Sequence, residues 1–173
     1  MERAVTALDL REGDVVLDIG CGTGRTIAKT SSKVGSTGRV VGLDFSHEML
    51  EQASRKKVAE NARYIQADAH HLPIRSGRVD AIMCFAAFAH FSRKDTFLSD
   101  ARRALRAGGR LVICHPMSSK ELNAFHKGVG DAVEDDVLPE PAIVARMAQQ
   151  FGFDAKEALD SPGLYLVALE KLP

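Results

Sequence analysis

The residues whose types and spacing most clearly invite chemistry are Val16-Leu17-Asp18-Ile19-Gly20-Cys21-Gly22-Thr23-Gly24. Glycines at alternate positions let the backbone turn sharply and approach a ligand closely, and a helix starting beyond them would turn its N–H groups toward an anion or a carboxylate. Asp44 closes the next apolar run, 20 residues past Gly24. From that place a carboxylate accepts hydrogen bonds from two ribose hydroxyls. The loop reads GxGxG, whereas dinucleotide sites read GxGxxG. The closer third glycine leaves less room for a pyrophosphate, and Asp18 would repel phosphate while suiting a positive charge. The pattern therefore favours a ligand with a ribose, a cation and no phosphate. A glycine-rich turn that merely joins strand to helix is the alternative for the loop alone. Asp18 and Asp44 at their spacing outweigh it.

The elements that must position these residues follow from periodicity. Val15–Ile19 is continuous and β-branched, as in a strand buried on both faces, and a helix is expected from Thr23 to about Val34. Strands are expected at Arg39–Asp44, Arg63–Gln66, Val79–Phe85 and Arg110–Cys114. Ser46 is a suitable N-cap for a helix presenting Met49, Leu50 and Ala53, and a further helix covers Arg93–Leu105, closed by Gly108-Gly109. Ser118 and Glu121 match a capping box, so a short helix runs over about 119–127. Pro141 opens the last helix, with Ile143, Met147 and Phe151 at four-residue spacing and Gly152 ending it. Two strands, about 153–158 and 165–170, form an antiparallel hairpin at the sheet edge. The expected fold is a single α/β domain over 1–173, with three layers and a doubly wound, mostly parallel seven-stranded sheet whose C-terminal strand is antiparallel.

Composition narrows the partners. Lys plus Arg and Asp plus Glu both number 23, so the formal net charge is zero, which counts against nucleic acid. Arg102, Arg103, Arg106 and Arg110 form a basic cluster that reads as a solvated helix face and the turn after it. No run approaches the roughly 20 apolar residues of a membrane span, and no secretory signal opens the chain, so a cytoplasmic location is expected. Cys21, Cys84 and Cys114 lack CxxC spacing and read as free buried thiols.

These residues resemble the nucleotide-binding half of class I S-adenosylmethionine (SAM)-dependent methyltransferases, in their small-molecule branch, and most of the chain fits that frame. The resemblance implies S-adenosyl-L-methionine as cofactor. It places Asp18 near the methionine end and the loop Gly20, Cys21, Gly22, Thr23 and Gly24 beside the cofactor. Asp44 matches the ribose acid, Phe45 a position that packs on adenine, and Asp68-Ala69 the pair that reads the adenine edge. Phe85 joins this set at the end of the fourth strand. Leu72-Pro73, Val79-Asp80 and Arg106-Ala107-Gly108-Gly109 complete the likeness. Taken singly, Asp68 has a minority alternative as a helix N-cap and Phe45 one as core, while for Asp80 a strand-start cap or pair is the preferred reading.

Ligands of doubly wound sheets lie beyond the strands' carboxyl ends, so Phe85 to Phe91 and Cys114-His115-Pro116 should wall the substrate side. Methyl transfer needs alignment, exclusion of water and, for a protonated acceptor, a base. His115 is the first candidate, His126 on the following helix the second, and His90 the third, though its counterpart in the small-molecule branch is often structural. These histidines with Asp131 or Asp136 match no short metal motif, so no metal is expected. Only the segment 1–12 precedes the first strand, so 116–140, that segment, a neighbouring subunit or the substrate itself must cover the pocket. An unidentified small molecule is the expected substrate. The competing readings are a SAM-binding non-catalytic or regulatory partner domain, an RNA or protein methyltransferase, and an NAD-linked oxidoreductase.

Overall fold

A computed structural model describes residues 1–129, 133 and 136–173; Asp131 lies outside them. The chain runs α1 (Glu2–Ala7), β1 (Val15–Ile19), α2 (Ile27–Val34), β2 (Arg39–Asp44), α3 (His47–Arg55), β3 (Ala62–Gln66) and β4 (Val79–Phe85), then α4 (Lys94–Ala104), β5 (Leu105–His115), α5 (Ser119–Val129), α6 (Pro141–Gln150), β6 (Phe153–Ser161) and β7 (Leu164–Lys171). One sheet of seven strands has the order β3-β2-β1-β4-β5-β7-β6. The pairs from β3 through β5 are parallel, while β7 is antiparallel to both β5 and β6. The reversal of strand order beside β1 is where a doubly wound sheet opens a crevice at its carboxyl edge.

Alternation along the strands divides the core into two layers. Val16, Ala81, Met83, Phe85, Val112 and Cys114 meet the side of α1 and α2. Leu17, Ile19, Ile82, Cys84, Leu111 and Ile113 meet the side of α4 and α6. This period of two sends neighbouring strand-end residues to opposite sides of the sheet.

Several local expectations hold in detail. Ser46 Oγ accepts the N–H of Met49 at 3.3 Å. The capping box closes as the Ser118 N–H donates to Glu121 at 2.8 Å and the Glu121 N–H donates to Ser118 Oγ at 3.2 Å. Asp80 is a structural pair: it accepts the N–H of Val15 at 2.8 Å and the Arg106 guanidinium at 2.5 Å. All three cysteines are free and buried.

Other boundaries move for physical reasons. Helix α2 starts at Ile27, because Gly24 has φ +79° and the loop continues through it. Helix α4 stops at Ala104, ahead of the glycine pair, because buried Leu105 already pairs with Val79 in β5. Gly109 then lies inside the strand, where an added Cβ would come 2.9 Å from the Asp80 carbonyl. Within α6 the buried face is Pro141, Val144, Ala145 and Ala148; Ile143 is exposed, while Met147 and Phe151 rest at the core's margin. The segment 1–12 contains α1, which buries Ala4, Val5 and Leu8 beneath the sheet.

Candidate functional site

The glycine loop connects β1 to α2 at the carboxyl edge of the sheet. Its three glycines all have positive φ, at +67°, +51° and +79°, but for different reasons. A Cβ on Gly20 would lie 2.4 Å from the Ala87 Cβ, so the segment after β4 presses directly on the loop. At Gly22 a Cβ would meet nothing within 4 Å, because that face looks into open space.

That space is a pair of cavities sharing Gly20, Gly22 and Ala86. The larger, about 630 Å³, is edged by Asp44, Phe45, Met49, Asp68, His70, His90 and Arg93. The smaller, about 160 Å³, is edged by Asp18, Cys21, Thr23, Arg25, Thr26 and Phe85. A further depression of about 720 Å³ opens at the other end of the sheet, around Arg39, Asn61 and Arg63. There the Asn61 amide is spent on the carbonyls of Gly35 and Gly38, which closes the turn before β2.

At the larger cavity, both Asp44 oxygens are held by the backbone. Oδ2 accepts the N–H of Gly22 at 2.8 Å and Oδ1 that of Ser46 at 2.9 Å. Each oxygen retains a lone pair, so a fixed carboxylate can take two hydroxyls. Phe45 is 78% exposed, which rules out a core role and leaves an aromatic face at the cavity rim. Asp68 Oδ1 accepts the N–H of His70 at 2.8 Å and its Nδ1–H at 2.6 Å. The tautomer follows because His70 Nε2 accepts the N–H of Arg93 at 3.3 Å. The backbone N–H, followed by the ring, holds the Asp68 carboxyl below its usual range. Both bonds fall on Oδ1, so Oδ2 keeps its acceptor capacity. Asp68 thus forms an Asx turn in place of a helix cap.

At the smaller cavity, Asp18 is 1% exposed and accepts the Thr26 hydroxyl. Burial is the main cause that pushes its carboxyl up to about 7, against the Thr26 bond and with the help of Asp44. A buried carboxylate of this kind favours a cation beside it. The Arg25 guanidinium stands 5.8 Å above the Phe85 ring. Burial also raises the Cys21 thiol, so this loop cysteine is no nucleophile.

The three histidines separate. His115 is 1% exposed and edges neither cavity, and alternation places it on the side opposite Phe85 and Asp18, against Tyr165 at 5.9 Å. Its Nε2 has no hydrogen-bond partner among the described residues. Burial, then His90, His126 and Lys94, lowers its pKa to about 3. His126 is buried too, its Nδ1 2.6 Å from the Asp136 carbonyl. His90 is half-exposed at the larger cavity, with Nδ1 2.5 Å from Asp136 Oδ2. Among the described residues no group of three His, Cys, Asp or Glu side chains is arranged to hold a metal, and no helix is long and apolar enough to cross a membrane.

Sequence reasoning did not bring Thr26, Arg25, His70 or Arg93 to the site, and it named Met49 only as part of a helix face. Only His70 carried a readable signal, since Asp68 two residues before it is the Asx-turn pattern. Ala86 lay within the expected Phe85–Phe91 wall, and its φ of +57°, where glycine is usual, became visible only in the folded backbone.

A family model described as a methyltransferase domain matches residues 16–109, from β1 into β5. The ubiquinone/menaquinone biosynthesis C-methyltransferase UbiE of Escherichia coli is 34% identical over 152 residues, 85% of this chain and 60% of that protein. An uncharacterized 37.1 kDa protein in transposon TN4556 of Streptomyces fradiae is 40% identical over 113 residues, 64% of this chain and 32% of that one. The chain thus spans about a third to three fifths of the length of these curated relatives. Among solved structures, a SAM dependent methyltransferase from Aquifex aeolicus superposes with a TM-score of 0.81 at 23% identity, over 99% of this chain and 89% of that one. This likeness establishes the shared fold.

Proposed function

The chain belongs to the methyltransferase-domain family of class I SAM-dependent enzymes, and from that premise we propose that it transfers a methyl group from S-adenosyl-L-methionine to a small-molecule acceptor. The observation that carries the reading is the pair of cavities meeting at Gly22, with two carboxylates and an aromatic face on one side and a buried carboxylate on the other. A molecule with a nucleoside at one end and a positive charge at the other matches both.

In this reading Asp44 accepts the two ribose hydroxyls, Phe45 covers the adenine and Asp68 accepts its exocyclic amine. Asp18 faces the cationic end. SAM supplies an electrophilic methyl carbon on a sulfonium. The protein's own part is to hold the acceptor in line with that carbon and keep water away. Ala86 and Ala87, both small, with Ala87 pressed against Gly20, keep the space beyond β4 open for the acceptor. Residues 116–140, outside the matched family segment, are the part of the chain proposed to shape acceptor choice. A small acceptor agrees with the zero net charge and with curated relatives named for quinone biosynthesis.

Isothermal titration with SAM, S-adenosylhomocysteine (SAH) and NADH tests the reading. Binding of the first two with no heat from NADH supports it. Absence of binding by SAM and SAH overturns it.

A further inference from the structure

Asp136 holds two histidines from different elements. Its carboxylate lies 2.5 Å from Nδ1 of His90, in the single helical turn after β4, and its carbonyl lies 2.6 Å from Nδ1 of His126 on α5. An ionised carboxylate and a carbonyl only accept, so both rings carry hydrogen on Nδ1 and both Nε2 atoms are bases. The rings stack at 5.4 Å, tilted by 34°. Lys94 secures the same turn from below: its ammonium donates to the carbonyls of Ala89 and Phe91, the two neighbours of His90, at 3.1 and 2.9 Å. Three elements thus fix one imidazole. Of the histidines gathered here, His90 is the half-exposed one on the cavity, whereas His115 and His126 are buried.

A ring whose Nδ1 is held by a carboxylate at the edge of a ligand cavity is built to accept a proton on its other nitrogen. A thioether or an unprotonated amine offers its lone pair without such a group, so the base points to an acceptor that arrives protonated. An aliphatic hydroxyl yields its proton to imidazole only as the new bond forms, whereas a phenol or enol is acidic enough to ionise beforehand. Flat apolar surface is close by in Phe91, which edges the same cavity.

Resting on the methyltransferase reading above, we propose that His90 is the general base of the reaction, that Asp136 is its positioning residue, and that the acceptor is an aromatic or enolic compound bearing an acidic hydroxyl. The hydroxyl proton passes to His90 Nε2. The electron pair released on oxygen, or on the ring carbon conjugated with it, forms a bond to the methyl carbon as the carbon–sulfur bond breaks, its pair staying on sulfur. Attack through carbon is followed by loss of that carbon's hydrogen to the base, after the first proton has left to water, and the oxygen takes one proton back from water. The products are the methylated acceptor, SAH and one proton.

The test uses 4-nitrophenol as a chromogenic acidic hydroxyl, added to SAH-saturated protein below the probe's own titration midpoint. Calorimetry of SAH is run alongside. The wild type is expected to develop the phenolate absorption band saturably. His90→Gln and Asp136→Asn should each weaken it about tenfold or more, and Asp136→Asn should keep SAH affinity unchanged. SAH binding with no phenolate band, or a band as strong in both variants as in the wild type, overturns the proposal while leaving the cofactor reading intact. Failure of SAH itself to bind removes that reading, and the proposal falls with it.

Discussion

The N–H of Gly22 donates to Asp44 Oδ2 at 2.8 Å, joining the glycine loop after β1 to the end of β2. One carboxylate therefore serves the fold and the proposed ligand at once. Replacing Asp44 with Ala is expected to lower SAM affinity at least tenfold, since hydrogen bonds to a charged group contribute about 1.5–3 kcal/mol each. Calorimetry checks it. Unchanged affinity would remove Asp44 from the ligand site.

Phe45 separates binding from stability. Its side chain stands largely in water, so Phe45→Ala should leave the urea midpoint within the ordinary range for surface changes, about ±0.5 kcal/mol. The same variant should bind SAM about tenfold more weakly, because an aromatic face on adenine is lost. A variant that melts early but binds normally would reassign Phe45 to the fold.

Asp18 sets a pH dependence whose sign is opposite to that of most carboxylates. Its pKa, raised from 3.8 to about 7 chiefly by burial, means the folded state holds the proton more tightly than the unfolded chain. The associated stability is complete below about pH 4 and is lost as pH rises toward 7, by at most ~4 kcal/mol. Thermal melts from pH 5 to 8 should show the wild type losing stability relative to Asp18→Asn as pH increases. Binding of a cation beside Asp18 should release that proton, so SAM affinity should climb through neutrality in the wild type and stay flat in the variant. Parallel melting curves would contradict the burial argument.

His115 gives the complementary limb. With its pKa lowered from 6.5 to about 3 by burial, the unfolded chain binds the proton first. The stability is present above pH 6.5 and drains away as pH falls toward 3. His115→Phe removes a buried acceptor without a partner and should flatten this acid limb, with a net effect at neutral pH near zero or stabilising by ~1 kcal/mol. Urea titrations at several acid pH values check it. An acid limb as steep as that of the wild type would show that His115 is hydrated.

Local chemistry made much of this molecule legible from the chain alone. Buried parallel strands need uninterrupted apolar runs, and so β1, β2 and β4 begin and end where Val15–Ile19, Arg39–Asp44 and Val79–Phe85 predict. Caps and loop glycines act within a few residues, which is why Ser46, the Ser118–Glu121 box and Gly20-x-Gly22-x-Gly24 stood out by type and spacing. The three histidines were equally visible, and strand-end position ranked His115 first, His126 second and His90 third. Alternation through β5 turned His115 to the side of the sheet away from Asp18, and the return of the chain through residue 136 supplied the carboxylate that orients His90. Partners 46 residues apart carry no local signature. Side-chain direction and burial depend on what the rest of the chain brings alongside, so the tertiary structure alone decided which of these three imidazoles edges the cavity.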